Sequence, residues 1–284
     1  MKKNSKNFNR MIRKDIYFVR PGNDKHMAAV DATLAYKNTT LYIKRAWKEI
    51  ELKYSRSVFG PLWEIATTVA FVFGFALLGS IIFNENRTEY VAYLTAGIIF
   101  WQFFVVNLNE SSNAFIANTG EINTQSTSYI GIIFGILLRN LMVMAHNLPL
   151  LLAVSYFTGN FSWYTILFIP GLIAIAVTFL PINLFVAMVT ARYRDTKYAI
   201  SMVMQFLFYF TPIFWPSESI TSYPERLLIE LNPFYHMLEI VRAPSLGRAP
   251  EIINYIVLFG IFSISLVLVS LVFITFRKRL VYWL

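Results

Sequence analysis

The stretch KYSRSVFGPLW, residues 53–63, separates two very different parts of the chain. Charged and amphipathic sequence precedes it, and residues 65–83, which follow it, are apolar and carry no charge. Gly60 and Pro61 interrupt the stretch, and a proline with its fixed φ is well placed to open a helix. The pattern predicts a basic segment at a membrane surface that turns sharply into a membrane span. An ordinary positively charged flank of a first span would have the same composition.

The composition indicates a polytopic membrane protein, because 56% of the residues are hydrophobic and only 14% are charged. The net charge is +9, and 14 of the 25 lysines and arginines lie in residues 1–62. Three more lie in 191–198 and three in 277–279. Since cytoplasmic loops are rich in Lys and Arg, both termini and the loop 191–198 are predicted to be cytoplasmic. A nucleic-acid surface is the rival interpretation of the basic N-terminus, but membrane-flanking charge explains it fully.

Apolar runs of sufficient length predict an all-α polytopic membrane protein with six transmembrane helices. An even number of spans places both termini on the same side, as the charge pattern requires. Pro170 and Pro181 are expected to kink the fourth span. The predicted spans are about 65–83, 91–108, 129–157, 163–191, 198–215 and 252–276.

The sequence before the first span divides into a tail and an amphipathic segment. Residues 1–40 are polar and basic, and they are predicted to form a partly ordered cytoplasmic tail. Residues 41–62 hold an amphipathic helix and a turn, and such a helix suits the cytoplasmic interface of the membrane. Packing against a partner protein is the alternative use of its apolar face. The apolar stripe at helical spacing consists of Ile43, Ala46, Trp47, Ile50 and Tyr54.

Two connections are too long to be simple turns. Segment 109–129 is predicted to be cytoplasmic, yet it contains Glu110 and Glu121 and no Lys or Arg. We therefore expect it to dock on a basic surface, with Glu121 meeting a cation of a partner; a neutral connector is the alternative. Segment 216–251 is predicted to lie outside, with two short helices separated by Asn232-Pro233 that dip toward the bilayer. A small helical cap on the outer surface fits the same pattern.

Motifs for enzymatic chemistry do not occur in the sequence. The three histidines fall in different predicted compartments, and neither H-E-x-x-H nor G-x-S-x-G is present. Without a G-x-x-x-x-G-K-[ST] loop, the chain is not expected to bind or hydrolyse ATP. The absence of cysteine excludes disulfides and thiolate metal sites. We expect no catalytic residue, metal or cofactor in this chain.

Arg139 and His146 lie seven residues apart in the third predicted span and share one helical face. An ionisable side chain within a span costs roughly 2.5–3.5 kcal/mol on insertion scales, so both should face the bundle or a polar cavity. Two arrangements remain open: this face contacts a polar substrate or gates its path, or Arg139 pairs with a carboxylate within the fold. An ion-coupled carrier would also place charges in its spans, which keeps that class of protein open.

Three stretches together resemble the ABC-2 type permeases that export polysaccharides. KYSRSVFGPLW is similar to the R-Y-R-x-S-x-L-G-P-x-W signature of that family, and ARYRDTKYA at 191–199 and NPFYHMLEIVRAPSLG at 232–247 are similar to two later signatures. Their order and spacing match from about residue 41 onward. The family includes the Wzm, KpsM and teichoic-acid exporter membrane subunits, and the closest likeness is to O-antigen-type Wzm. Lys53 and Ser55 stand where the family usually has arginine.

The resemblance implies the function of the chain and its partners. It implies the permease subunit of an ATP-driven transporter that exports a lipid-linked polysaccharide, O-antigen or another glycan on undecaprenyl pyrophosphate, across the bacterial inner membrane. Capsule or teichoic-acid export is the alternative within the family, and an enzyme acting on lipid-linked sugars is the alternative outside it. The implied assembly is a homodimer with two copies of a separate ATPase that binds ATP and Mg. Membrane lipids, and no nucleic acid, would be the other contacts.

The resemblance also implies a coupling helix within 109–129, re-entrant helices within 216–251 and roles for particular residues. Aromatic rings of the first and fifth spans would line a glycan channel, although packing or lipid-facing surface explains such rings equally. The channel residues are Phe71, Phe75, Phe206, Tyr209, Phe210 and Trp215. The candidates for lipid-headgroup contact or gating are Lys53, Arg56, Arg139 and His146. The candidates for coupling to the ATPase are Ala117, Glu121, Ile122, Arg192, Arg194 and Asp195.

Overall fold

The computed structural model describes residues 24–82, 87–124, 127–220 and 222–284, and every regular element in these ranges is helical. Most of the predicted tail, residues 1–23, and residues 83–86 of the first outer loop lie outside the described residues. In the described ranges, five helical stretches are long and apolar enough to cross a membrane. They are Leu62–Gly79, Thr88–Ser112, Tyr129–Phe157, Trp163–Arg192 and Ile252–Trp283.

Two helices precede the first span: α1, Asp24–Lys37, and α2, Thr39–Tyr54. Residues 24–37 of the predicted tail are therefore a regular helix, and α1 packs against later helices of the bundle. The predicted apolar stripe of α2 is divided between two surroundings. Ala46 and Ile50 are buried in the protein, whereas Trp47 is 63% exposed. Tyr42 is also buried, and the face that it shares with Ala46 holds charged residues that pair inside the protein.

The next two helices are α3, Leu62–Ile82, and α4, Arg87–Ser112. In the turn between α2 and α3, Gly60 adopts a positive φ of 52°, which L side chains rarely adopt, and its N–H donates to Ser57 Oγ over 3.0 Å. α3 is mostly exposed and lies against α4. α4 is buried along nearly its whole length and forms the centre of the bundle.

The connection after α4 contains two short helices, α5, Ala114–Ala117, and α6, Thr119–Thr124. The third predicted span is divided into α7, Tyr129–Ala145, and α8, Leu148–Phe157. The helix is interrupted at His146 and Asn147, just before Pro149, which occupies the first turn of α8. Proline lacks a backbone N–H to continue the preceding helix, which favours a break at this point.

The fourth predicted span consists of a 3-10 turn, Trp163–Leu167, followed by α9, Phe168–Arg192, with Pro181 inside the helix. The fifth corresponds to α10, Thr196–Phe210, which has only 15 residues. At 1.5 Å per residue, α10 is about 22 Å long, less than the roughly 30 Å of a hydrocarbon core. α10 ends at Thr211, whose backbone is extended. The six-span count is therefore not confirmed by helix length alone.

The last helices are α11, Arg226–Glu230; α12, Pro233–Ser245; α13, Ile252–Phe276; and α14, Leu280–Trp283. Two helices separated at Asn232-Pro233 were predicted, and both are present. The Asn232 side chain caps α12 by accepting from Phe234 N over 3.0 Å. α12 is buried from His236 to Ser245 and packs on α4, α9 and α13, so it belongs to the bundle and is not a cap on its surface.

Two apolar clusters form the core. The larger surrounds Phe100, Phe104 and Phe179, which have no exposed surface. The second lies where α5, α7, α9 and α13 meet, near residues predicted to be cytoplasmic, and includes Phe115 and Phe273. The helices converge on α4 from several sides, which leaves grooves between their outer faces.

Candidate functional site

The first of these grooves lies between α3, α4 and α10 and carries several aromatic rings. Its volume is about 410 Å³, and Phe71, Phe75, Trp101 and Tyr209 line it. The Phe75 ring stacks on Phe214 with centroids 5.4 Å apart and an interplanar angle of 25°. Aromatic residues of the first and fifth predicted spans therefore share one groove, and α4 adds Trp101, which the sequence reasoning missed. A glycan channel lined by these rings stays a prediction.

The remaining predicted channel residues lie elsewhere on α10 and after it. Phe206 is 63% exposed and Phe210 is 41% exposed, and their rings are 4.7 Å apart. Neither lines the groove. Trp215 is half-buried, and its Nε1 donates to the backbone oxygen of Tyr209 over 3.2 Å. These residues thus cover the outer surface of α10 and do not extend the groove.

The irregular segment after α10 is held by buried polar groups. Tyr93 Oη donates to the backbone oxygens of Pro212, over 2.9 Å, and Trp215, over 3.1 Å. Arg242 is fully buried, donates to Pro212 O and to Glu239, and lies 4.0 Å from the centroid of the Tyr93 ring. α12 therefore holds the segment after α10 through the hydrogen bond from Arg242 to Pro212 O, and Glu239 on the same helix compensates the buried guanidinium. The Glu239–Arg242 spacing of three residues fits that pair within the helix.

The turn between α2 and α3 is closed by an ion pair. Lys53 Nζ lies 2.8 Å from Glu64 Oε1, and Tyr54 Oη donates to the same oxygen over 3.0 Å. Partial burial lowers the pKa of Lys53, but the hydrogen bond to Glu64, the negative charge of Glu64 and the contact with Tyr54 together outweigh it, so the pKa lies above its ordinary value. Arg56 is exposed. Of the two predicted headgroup residues, Lys53 is already engaged within the chain and Arg56 faces outward.

Arg139 joins three helices. Its guanidinium pairs with Glu49 of α2 and, over 2.6 Å, with Glu110 of α4. Pairing with carboxylates, one of the two predicted arrangements, is therefore observed. On α2, Arg45 extends the same network to Glu49 over 2.9 Å and to Glu121 of α6. Burial lowers the pKa of Arg45, but the hydrogen bonds that Arg45 donates to Glu49 and Glu121, together with the negative charges of these carboxylates, raise it above its ordinary value.

His146 does not share the environment of Arg139. It terminates α7, and its Nδ1 lies 2.9 Å from the backbone oxygen of Met142 in the same helix. The ring is half-buried. The predicted common polar face is thus interrupted by the helix break, and His146 serves locally at the end of α7.

The predicted coupling residues of segment 109–129 lie on α5 and α6. Ala117 is exposed at the end of α5, and Ile122 is half-buried against the second core cluster. Glu121 accepts from Arg45 and, over 3.2 Å, from Thr127 Oγ1. Arg45 of the same chain pairs with this carboxylate. Contact of Glu121 with a cation of a partner stays a prediction.

Arg192, Arg194 and Asp195 follow one another at the end of α9 and are all exposed. The Arg192 guanidinium lies 5.5 Å from the centroid of the Trp283 ring. Arg194 donates to the backbone oxygen of Leu284 over 3.4 Å. These arginines tie the C-terminal helix α14 to the loop between α9 and α10.

A buried carboxylate that sequence reasoning missed lies on α1. Asp31 has no exposed surface and accepts from Arg277 over 2.9 Å and from Ser128 Oγ over 2.7 Å. It also accepts from the backbone N–H groups of Tyr129, over 3.3 Å, and Ile130, over 3.1 Å. Asp31 therefore fastens α1 to the start of α7 and the end of α13. No clear signal for it was present in the sequence, because Asp31 is one of two aspartates in a helix without an apolar stripe.

A second, polar cavity of about 280 Å³ lies between α3, α4 and α7. Lys53, Glu64, Arg139, Asn140 and Asn147 contribute its polar lining. Across the described part of the chain, no group of three His, Asp or Glu side chains is placed to hold a metal ion.

Comparison with known proteins identifies the family of this chain and several relatives. The model of the family described as ABC-2 type transporter matches residues 41–246. The chain is 23% identical over 212 residues to the O-antigen export system permease protein RfbA of Myxococcus xanthus, covering 73% of this chain and 81% of that protein. A Klebsiella pneumoniae protein of the same name is 27% identical over 203 residues, covering 67% of this chain and 74% of its own length. Because the family match spans well over half of its length, the chain belongs to the ABC-2 type transporter family.

Proposed function

We propose that this chain is the permease subunit of an ATP-driven exporter of a lipid-linked polysaccharide, such as O-antigen on undecaprenyl pyrophosphate, in the bacterial inner membrane. Family membership and the names of the relatives support the proposal. The observation that carries it is the groove between α3 and α10, whose lining includes the aromatic residues Phe71, Phe75, Trp101 and Tyr209. Aromatic faces suit sugar rings, which stack on them through C–H groups.

Deletion of the gene tests this function. Cells without the chain are expected to lose the surface glycan and to accumulate the lipid-linked glycan inside, and a plasmid copy should restore export. An unchanged surface glycan in the deletion strain would reject the proposal. Extraction and sugar analysis of the accumulated lipid would also distinguish O-antigen from capsule or teichoic acid.

We propose a six-span topology with cytoplasmic termini, in which α10 and the irregular residues 211–216 cross the membrane together. α2 lies at the cytoplasmic interface, and the exposure of Ile43 and Trp47 next to its cations supports this position. α11 and α12 are re-entrant from the outside, and the burial of α12 among spanning helices supports this arrangement.

Single cysteines test the topology, because the natural chain has none. Ser222 and Asn113 are both exposed and lie in the two long connections. A membrane-impermeant maleimide applied to spheroplasts should label Ser222→Cys directly and Asn113→Cys only after permeabilisation. Labelling of Ser222→Cys only after permeabilisation would reject the six-span model.

The assembly we propose is a homodimer that binds two copies of an ATPase at its cytoplasmic face. α3 supports the dimer, since it lies against α4 and leaves most of its surface open for a second copy. The ion pairs of Arg45, Glu49 and Arg139 support coupling, because they connect α6 with α2, α4 and α7. A force applied to α6 by an ATPase would reach both neighbouring spans through these contacts.

Two substitutions in α6 test this coupling. Ile122→Pro removes the hydrogen bond from Ile122 N to Asn118 O, 3.0 Å, and should break the helix. Glu121→Lys places a cation beside Arg45; a partly exposed pair contributes about 0.2–1 kcal/mol, so the chain should still fold. Both variants should lose export at normal membrane abundance, with Ile122→Pro more severe. The exposed Asn123→Ala is the matched control, and normal export by both variants would remove α6 from the coupling path.

The isolated chain should show no ATP hydrolysis above background, because its sequence lacks a phosphate-binding loop. Co-expression with the ATPase should yield a stable complex that hydrolyses ATP. Hydrolysis by the purified chain alone would contradict the proposal that the motor is a separate subunit.

A further inference from the structure

A cavity of about 630 Å³ lies between α8 and the first residues of α9. These two helices follow one another in the chain, yet each has its main contacts elsewhere. α8 lies against α4 and α12, whereas α7, on the other side of the helix break at His146 and Asn147, packs on α9. The two arms of this hairpin therefore stand apart, and the buried Ser245 at the end of α12 lines the gap between them.

The walls of the cavity are apolar. Four of its twelve lining side chains carry a hydroxyl, and the other eight are leucine, isoleucine, phenylalanine or tryptophan. The hydroxyls of Ser155, Ser162 and Ser245 donate to backbone oxygens over 2.8–3.3 Å, and Thr165 Oγ1 accepts from Ser162 N over 3.2 Å. Each hydroxyl is thus already hydrogen-bonded within the protein. Apolar cavities of this kind do not hold water, so the walls favour hydrocarbon as the occupant.

The open side of the cavity belongs to the surface that contacts the bilayer. The cavity is lined by two of the stretches that are long and apolar enough to cross a membrane, Tyr129–Phe157 and Trp163–Arg192. Leu152 and Ile166 are exposed on its two walls, whereas Leu151 and Phe168 lie buried in its depth. Trp163, 87% exposed, begins the second stretch, and tryptophan is enriched at the membrane–water interface. The cavity therefore starts near the headgroups and is continuous with the hydrocarbon of the adjoining leaflet.

We propose that this cavity holds one acyl chain of a membrane phospholipid. An empty apolar gap forfeits dispersion contacts along all of its walls, and a hydrocarbon chain from the bilayer restores them. Lipid tails are as apolar as leucine, so retention depends on packing against α8, α9 and α12 rather than on the hydrophobic effect. The volume lies within the range of about 300–1,000 Å³ that is typical of ligand pockets. The proposal requires a chain that spans a membrane and does not depend on glycan export.

Native mass spectrometry of the full-length chain tests the binding. The protein is stripped of lipid in detergent and titrated with palmitoyl-oleoyl phosphatidylglycerol. If one site holds an acyl chain on several sides, the first lipid should bind roughly tenfold more tightly than the following ones, which contact only open bilayer-facing surface.

Two variants fill the cavity from opposite walls. Leu152→Trp on α8 and Ile166→Trp before α9 add bulk at exposed positions, so the fold should tolerate both. Each should weaken binding of the first lipid by roughly tenfold. Ile256→Trp is the matched control, because Ile256 is an exposed residue of the spanning helix α13 that does not line the cavity. This variant should keep the affinity of the natural chain.

Photolabelling locates the lipid. The chain is placed in nanodiscs that contain a small fraction of phosphatidylglycerol with a diazirine on one acyl chain. After illumination, most of the label should lie in peptides from residues 148–169. Leu152→Trp and Ile166→Trp should lose this labelling, and Ile256→Trp should keep it.

Four results would overturn the proposal. Equal affinities of successive lipids, with label spread evenly over α13, would indicate ordinary bilayer contact. Unchanged affinity for the first lipid in both filled variants would place that lipid elsewhere. The natural chain has no cysteine, so a disulfide between two copies of Leu152→Cys would show that a second copy covers this face. Displacement of the first phosphatidylglycerol by equimolar undecaprenyl phosphate would assign the cavity to a polyprenyl chain.

Discussion

Replacing Asp31 with alanine should destabilise the protein strongly, although this residue lies outside the membrane spans. Its carboxylate is fully buried and compensates Arg277, whose side chain is 14% exposed. Removing one partner of a buried ion pair costs about 3–5 kcal/mol, because the other charge stays buried without compensation. Asp31→Ala also removes the acceptor for the N–H groups of Tyr129 and Ile130 at the start of α7.

Two features place the expected loss at the lower end of that range. Ser128 Oγ still accepts from Gly131 N over 3.0 Å, so α7 keeps one side-chain cap. The guanidinium of Arg277 also retains some contact with solvent. We expect Asp31→Ala to lower the free energy of unfolding by about 3 kcal/mol. The same variant should expose α1 to protease, since Asp31 is the buried polar anchor of that helix.

A double-mutant cycle with Arg277→Met isolates the pair. The double variant Asp31→Ala/Arg277→Met should be more stable than the sum of the single changes predicts, by about 1–3 kcal/mol, since it leaves neither charge buried alone. The measurement is unfolding in mixed micelles, with the exposed Thr33→Ala on α1 as the matched control. A loss below about 1 kcal/mol for Asp31→Ala, or strict additivity of the two changes, would refute the reasoning.

Three further substitutions probe other contacts. Gly131→Ala should lower the midpoint of thermal unfolding, because a Cβ at this position would lie 2.1 Å from Tyr42 Cζ. The same change in a Tyr42→Ala background should cost less, and an equal loss in both backgrounds would contradict the proposed clash. Gly60→Ala should cost about 1 kcal/mol in unfolding measurements, since φ is +52° at Gly60, and a neutral result would mean that the turn relaxes. Arg242→Leu should lower the free energy of unfolding by about 3–5 kcal/mol, because Glu239 stays buried without its partner. The double variant Arg242→Leu/Glu239→Leu should regain part of this stability. If it regains none, the loss comes from the contacts of Arg242 with Pro212 and Tyr93.

The length of an apolar run predicted a membrane span well where the run contains no charged residue. The sixth span was expected at 252–276, and α13 has these bounds because nothing in the run is charged. The two helices on either side of Asn232-Pro233 were also predicted, since proline at the first helical position marks a helix start. Such features depend on local sequence, and local sequence was sufficient for them.

Contacts between distant residues explain the failures. α1 has no apolar stripe, so periodicity could not identify it, and its position depends on Asp31 meeting Arg277, 246 residues away. The inward face of α2 was not predicted, because Arg45 and Glu49 point inward to pair with Glu121 and Arg139. Periodicity assigns charged residues to the outer face of a helix and cannot find partners that the fold brings in.

The candidate site was predicted in part for the same reason. Phe71, Phe75 and Tyr209 could be selected because they are aromatic residues of two expected spans, and they share a groove. Trp101 belongs to the buried helix α4, and nothing in its local sequence indicates that it reaches this surface. The cavity between α8 and α9 was also beyond sequence reasoning, since it depends on which helices α8 packs against.

The two ion-pair networks differ in the order in which a ribosome supplies their partners. Glu49 and Glu110 are synthesised before Arg139, so this arginine enters the membrane when both of its carboxylates already exist. Asp31 is synthesised early, but Arg277 follows 246 residues later. At 5–20 residues per second, that interval lasts about 12–50 s. Throughout it, Asp31 has its partners at the start of α7 but lacks its cation. Compensation of this carboxylate is therefore a late event that follows synthesis of the last span, and a chain truncated before Arg277 would hold α1 with a buried charge left unpaired.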